Sequence, residues 1–186
     1  MNHNFNILTS IILLLFLASP LFGQSSEEKK FAVRTSIFAQ ALTYNLDKQN
    51  GVGIYFGQLT TEIKKDNTEK AVNSFYGVNH AYAFNCINCD SFFIVTLLGP
   101  YGAVYTTDDG STYTYSGWAL NVVGGYGWYF ENDISVILGS GPSFTTWSKE
   151  SENLKSDKGY GKVVEDRVKM LSFQPLTPFL AIGYSF

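Results

Sequence analysis

Large apolar and small residues alternate strictly through the last nine residues of the chain, from Pro178 to Phe186. The bulky set is Leu180, Ile182, Tyr184 and Phe186, and the small set is Ala181, Gly183 and Ser185. Successive side chains of a strand point to opposite faces, so this stretch predicts one β-strand with one bulky apolar face. No helix is predicted beside it to cover that face. We therefore predict that the face contacts lipid and that the strand closes a transmembrane β-barrel.

Similar alternation, interrupted by turn residues, predicts an all-β, antiparallel, up-and-down barrel of about eight strands. The predicted strands are 31–46, 52–63, 75–85, 92–98, 101–107, 112–130, 134–148 and 172–186. The fourth and fifth are divided at Gly99-Pro100, because proline cannot donate a hydrogen bond to a neighbouring strand. One long kinked strand over 91–107 is the alternative. The charged stretch 149–169 is expected to be a large outer loop.

The alternation also predicts which side chains face lipid. In strand 112–130, one parity carries Trp118, Leu120 and Trp128, and the other carries mostly small residues. In strand 52–63, Tyr55, Leu59 and Ile63 share one face and Gln58, Thr60 and Glu62 share the opposite, inward face. His80 falls on the apolar face of strand 75–85. Either a bulge shifts the register there or His80 lies at the level of the lipid headgroups.

The distribution of charge supports membrane-spanning strands independently of their exact bounds. No Asp, Glu, Lys or Arg occurs in 110–130, 134–148 or 172–186, and between 71 and 107 only Asp90 is charged. A charge on the lipid face at mid-bilayer costs roughly 2–4 kcal/mol, which excludes charges from spans and leaves them in connections. The net charge of −3 gives no reason to expect a nucleic-acid partner.

Residues 1–23 predict a secretory signal peptide, which leaves 24–186 as a single barrel domain. An uncharged segment contains an apolar run from Ile11 to Leu17, too short to span a bilayer, and the small Gly23 precedes a polar stretch. An uncleaved anchor is the alternative.

Export permits a disulfide between Cys86 and Cys89, the only two cysteines. A loop-stapling disulfide is the first interpretation, unpaired thiols the second, and redox or metal chemistry the third.

With the signal segment, the stretch from Gly124 to Gly139 and the terminal Tyr184-Ser185-Phe186, the chain resembles the small eight-stranded outer-membrane barrels of Gram-negative bacteria. The resemblance implies an outer-membrane location, contact with outer-membrane lipid, and insertion by the barrel-insertion machinery. In that superfamily, Leu180, Ile182, Tyr184 and Phe186 would form the C-terminal insertion signal. The superfamily contains adhesins, ligand-binding barrels and lipid A enzymes, so the resemblance does not imply an activity.

Three residues invite a catalytic interpretation. His80, Asp90 and Ser91 are the residue types of a nucleophile, base and orienting carboxylate, and outer-membrane lipid A palmitoyltransferases are similar in carrying an adjacent Asp-Ser pair. The alternation, however, turns His80 outward, and a rim histidine beside a loop aspartate is the preferred interpretation.

Polar residues also predict a network inside the narrow barrel, in which Arg34 and Glu62 would meet. Its members are Arg34, Gln40, Gln58, Glu62 and Asn121.

The leading hypothesis is a non-enzymatic outer-membrane barrel with surface loops for structural, adhesion or ligand or partner roles. These loops are chiefly 149–169 and the one between Cys86 and Cys89. The alternatives are a lipid A-modifying acyl enzyme and a soluble, secreted, lipocalin-like barrel. No cofactor is expected, and no metal, because His80 is the sole histidine left after signal removal.

Overall fold

A computed structural model describes residues 29–36, 38–65, 68–155 and 160–186, and the predicted signal peptide lies outside this range. The elements are β1 (Phe31–Ser36), β2 (Ala39–Asn45), β3 (Asn50–Lys65), β4 (Thr68–Ala83), β5 (Ser91–Thr107), β6 (Thr112–Tyr129), β7 (Ile134–Thr145), β8 (Ser148–Asn153), α1 (Gly161–Met170) and β9 (Phe173–Ser185). No helix in these ranges is long and apolar enough to cross a membrane.

The strands close into the predicted barrel. Every neighbouring pair is antiparallel, and the ring runs from β1 through β7 in chain order before β9 returns to pair with β1. β8 follows β7 in the chain and pairs with the first residues of β6. Closure leaves eight strands in the ring, which confirms the predicted architecture.

Two strand predictions were wrong. One predicted strand is two strands and two predicted strands are one, so the predicted number of eight is unchanged. The predicted strand 31–46 is the hairpin β1–β2, because the Ser36 Oγ accepts the backbone N–H groups of Ala39 at 2.9 Å and Phe38 at 3.3 Å. The predicted strands 92–98 and 101–107 are the single strand β5, so the alternative interpretation holds. Pro100 stays paired with Trp118 of β6, and only the β4 side lacks pairs at Gly99 and Pro100.

The facing of the side chains is largely as predicted. Leu180, Ile182 and Phe186 are exposed, whereas Ala181 and Ser185 are buried. The outward positions of the wall carry exposed apolar and aromatic side chains, as a lipid-facing surface does. Members of this outward set include Ile54, Phe56, Tyr76, Val78, Phe92, Leu98, Trp118, Leu120, Trp128, Leu138, Leu180 and Ile182.

β3 faces the opposite way from the prediction. Tyr55 is only 5% exposed and points inward, whereas Val52, Ile54 and Phe56 are the outward apolar set. The prediction failed because it took Tyr55 and Leu59 as lipid-facing, although the barrel interior at this level is itself apolar. The register runs without a shift through His80, which points outward near the start of β3. The bulge alternative is therefore wrong.

Candidate functional site

The barrel interior encloses a cavity of about 790 Å³. This volume lies within the range of about 300–1,000 Å³ typical of small-molecule sites. The lining comes from every strand of the closed ring together with α1 and the loop after β4. The cavity is therefore the interior of the barrel itself, and its shape depends on what closes the two ends.

Helix α1 closes one end, here called the helix rim. Its Val164 and Val168 lie one helical turn apart and are buried against Tyr105, Tyr113 and Tyr115. The opposite face of α1 is polar, with the Glu165 carboxylate 2.7 Å from the Lys169 Nζ. The stretch predicted as a charged outer loop thus contains β8 and an amphipathic helix that packs into the barrel mouth.

The loop after β4 closes the other end, here called the terminal rim because both Phe31 and Phe186 lie there. Ile87 is 5% exposed and packs on Ala81 and Ala83. The backbone N–H of Ile87 donates to the Lys48 carbonyl at 2.7 Å, and Cys86 and Cys89 are joined by a disulfide. This loop therefore lies at the rim opposite α1, which corrects the prediction that it and 149–169 share the outer surface.

An aromatic arc lines the middle of the cavity. It consists of Tyr55, Phe75, Tyr101 and Trp147. The ring centroids lie 6.3 Å apart from Tyr55 to Phe75, 5.8 Å from Phe75 to Tyr101, and 5.1 Å from Tyr101 to Trp147. Rings at these separations form a continuous apolar surface, suited to a hydrocarbon ligand. No prediction from the sequence included this arc, although Tyr101 and Tyr105 share the inward parity of β5 with the buried Ala103.

The polar part of the lining is basic and amide-rich. Arg34 donates from Nη2 to the Tyr129 hydroxyl at 3.2 Å near the terminal rim, while its Nε is buried without a hydrogen-bond partner. Arg167 of α1 lines the other end. Among the described lining residues there is no Asp, Glu or Lys. Arg34 therefore brings a positive charge to the cavity, and no carboxylate of the described lining lies there with it.

Only part of the predicted polar network lies inside the barrel. Arg34, Gln40 and Asn121 line the cavity, whereas Gln58 and Glu62 are exposed and are not part of its lining. Gln58 donates to the Ser74 hydroxyl at 3.4 Å, and Glu62 is the cross-strand partner of Lys70. Arg34 and Glu62 therefore do not meet inside the barrel. Their separation follows from the reversed facing of β3.

His80, Asp90 and Ser91 do not form a catalytic cluster. His80 is on the outside of the wall, 3.2 Å from Asn50 Oδ1, whereas Ser91 is buried inside. The Ser91 hydroxyl donates to the Phe92 carbonyl at 2.8 Å and accepts the Asn85 N–H at 2.9 Å. Asp90 accepts the Tyr129 N–H at 2.8 Å. The barrel wall separates the candidate base from the candidate nucleophile, and the local bonds of Asp90 and Ser91 are those of a rim loop.

One of two similarities to solved structures is strong enough to support the fold. No protein-family model and no curated protein sequence matches the chain. The chain is similar to a major outer-membrane protein from Thermus thermophilus, with a TM-score of 0.52 and 14% identity over 86% of this chain and 100% of that one. A second similarity, to CarO from Acinetobacter baumannii, has a TM-score of 0.42 and 10% identity over 88% of this chain and 100% of CarO.

The closed ring and the Thermus similarity together show the fold of a small, closed, antiparallel β-barrel, which is the fold of that outer-membrane protein. Within that class, this chain is an eight-stranded barrel with an internal cavity closed by a helix at one rim and by a disulfide-containing loop at the other.

Proposed function

We propose that this protein is a non-enzymatic outer-membrane barrel that binds a small apolar ligand in its interior. The observation that carries the proposal is the cavity of about 790 Å³ lined by the aromatic arc and covered at both rims. A pore for water or ions needs an open polar passage, whereas this interior is covered by Val164 and Val168 at one end and by Ile87 at the other.

The outward surface supports placement in the outer membrane. Trp118 and Trp128 mark opposite ends of the apolar run on β6, at 60% and 40% exposed, where interfacial aromatic residues occur in transmembrane barrels. The separation of His80 from Ser91 by the wall gives the lipid A enzyme no support. Export through a cleaved signal peptide and insertion through the C-terminal residues Leu180 to Phe186 remain part of the same proposal.

Tryptophan fluorescence gives a direct test, because the chain has three tryptophans and only Trp147 lines the cavity. The variant Trp118→Phe/Trp128→Phe keeps Trp147 alone as a reporter. In detergent, a dibrominated long-chain alcohol or fatty acid should quench Trp147, and the quenching should saturate and be reversed by the unbrominated compound.

The matched control is Trp128→Phe/Trp147→Phe, which keeps only the outward Trp118. That residue reports partition of the probe into the detergent and should give quenching that does not saturate. If neither probe quenches Trp147 more strongly than a soluble bromide salt does, the cavity does not bind apolar chains and the proposal fails.

A further inference from the structure

The barrel wall is incomplete in the half that lies towards the helix rim. The hairpin β1–β2 ends where Ser36 pairs with Ala181 and Ala39 pairs with Gly57. Beyond that level, residues 173–180 of β9 pair only with β7, and residues 58–65 of β3 pair only with β4. No described strand lies between these two edges. We call this opening the wall gap.

The sequence of β9 matches an unpaired edge. Pro175 and Pro178 both fall in the half of β9 that lacks a second neighbour, and neither lies where β9 pairs with β1. Proline has no N–H to donate and is confined to edge strands and bulges. The opening is thus encoded in strand composition as well as in strand length.

The cavity reaches the wall gap. Its lining includes Leu59 and Thr61 on the β3 edge, Thr177 on the β9 edge, and Phe38 at the hairpin tip. Thr61 lies on the inward parity of β3 but is exposed, as expected where the wall beside it is missing.

The outer border of the wall gap is apolar on the β9 side and at the hairpin tip. Leu176 is 74% exposed, and Leu180 and Phe38 are each about half exposed. On the β3 side, the outward residues change from the apolar Phe56 to the polar Gln58 and Thr60. Such a change from apolar to polar side chains marks the boundary between hydrocarbon and headgroups. The gap therefore opens at the edge of the lipid layer.

We propose that the cavity takes up a single-chain anionic amphiphile, such as a fatty acid, sideways from the lipid layer through the wall gap. Arg34 holds its carboxylate, and the aromatic arc holds its chain. This inference rests on the proposed function. The buried Nε of Arg34 supplies a donor for a carboxylate, and the absence of acidic residues from the described lining removes competing anions.

The proposed binding of the carboxylate by Arg34 is tested with the Trp147 reporter. The probes are the dibrominated fatty acid and the dibrominated alcohol of equal chain length, at a pH where the acid is ionised. We expect the acid to bind about tenfold more tightly than the alcohol, the value of one charge-assisted hydrogen bond. Arg34→Gln should abolish this preference and Arg34→Lys should retain most of it. Heat-modifiable migration on a gel verifies that each variant is folded.

The proposed entry through the wall gap is tested by the rate at which Trp147 is quenched from vesicles preloaded with the brominated acid. Thr61→Phe/Thr177→Phe places two rings at the wall gap and should slow quenching several-fold. The control Thr96→Phe adds the same ring on the outside of β5, away from the cavity, and should leave the rate unchanged.

The outcomes separate the two proposals. Two results would overturn the lateral-uptake inference but leave a ligand-binding barrel. One is saturable quenching that is equal for acid and alcohol and unchanged in Arg34→Gln. The other is an unchanged quenching rate in Thr61→Phe/Thr177→Phe. Absence of saturable quenching by both probes overturns the proposed function itself.

Discussion

The two halves of the barrel wall differ mainly in strand length. β4, β5 and β6 contain 16 to 18 residues and pair with both neighbours over most of their length, whereas β1 and β2 contain only 6 and 7. A tilted strand needs about 9–11 residues to cross the hydrocarbon layer, so the short hairpin cannot complete the wall by itself. One side of the barrel thus gives a continuous wall, and the other gives the wall gap.

Close backbone contact holds the long half together. A Cβ added to Gly99 would lie 2.0 Å from the Tyr76 carbonyl oxygen and 2.6 Å from the Gly77 Cα. Both obstacles are backbone atoms of β4, so neither moves without separating the strands. Glycine is required here because β4 and β5 approach closely at the place where Pro100 breaks their pairing.

We therefore expect Gly99→Ala to give the largest effect, a loss of at least about 3 kcal/mol of unfolding free energy or failure to fold. Urea unfolding in lipid vesicles measures it. The matched control is Gly102→Ala on the same strand, where the added Cβ would meet nothing nearer than 3.9 Å. It should change stability by no more than about 0.5 kcal/mol. Equal stability of the two variants would show that close packing does not hold the long wall.

The short half should tolerate the same change better. A Cβ on Gly57 would lie 2.1 Å from the Phe38 carbonyl oxygen and 2.5 Å from the Phe75 ring. The Phe75 obstacle is a side chain, and Phe38 is at the tip of the hairpin with no described strand beyond it. The hairpin tip can move outward and the Phe75 side chain can rotate away. We expect Gly57→Ala to cost about 1 kcal/mol, well below Gly99→Ala, because strain at an edge relaxes.

The same variant should widen the wall gap. Quenching of Trp147 from preloaded vesicles should become faster in Gly57→Ala, while Gly102→Ala should leave the rate unaltered. A cost as large as that of Gly99→Ala would mean that the hairpin tip is as rigid as the long wall, which would weaken the case for an opening there.

The contrast between the halves also explains what the sequence could predict. Side-chain alternation identified the lipid-facing residues of β6 and β9, because small and bulky residues there separate cleanly, as in Leu180-Ala181-Ile182. Charge exclusion identified the spans. Alternation failed at β3, because a cavity lined by Tyr55 and Leu59 makes both faces of that strand apolar.

Turns without glycine or proline were the second source of error. The Ser36 side chain accepts a backbone N–H group within the hairpin turn, and Ser36 gave no stronger signal than its neighbours. The high charge of the stretch that contains α1 predicted a loop there. The spacing of Val164 and Val168 is the signal that would have revealed the helix. The cavity and the wall gap depend on register between distant strands, which no local pattern contains.

The smallest effect is expected at the turn that joins the short hairpin to β3. The Asp47 carboxylate accepts the backbone N–H groups of Gln49 at 2.7 Å and Asn50 at 2.8 Å. These bonds, first that from Gln49, lower the pKa of Asp47 below its ordinary value of 3.8. A lowered pKa in the folded state means that the ionised carboxylate stabilises the turn above pH 3.8. This stabilisation is lost as the pH falls through the folded-state pKa.

Asp47→Asn should therefore lower the unfolding temperature slightly at neutral pH, and the difference from the unaltered protein should shrink as the pH falls below 3.8. Thermal unfolding in detergent across this pH range measures both. Glu131→Gln, in the turn between β6 and β7, is the control for loss of a loop charge. A difference for Asp47→Asn that stays constant down to the acid limit would show that the ionised carboxylate does not hold the turn, and that the short hairpin is fixed by its strand pairing alone.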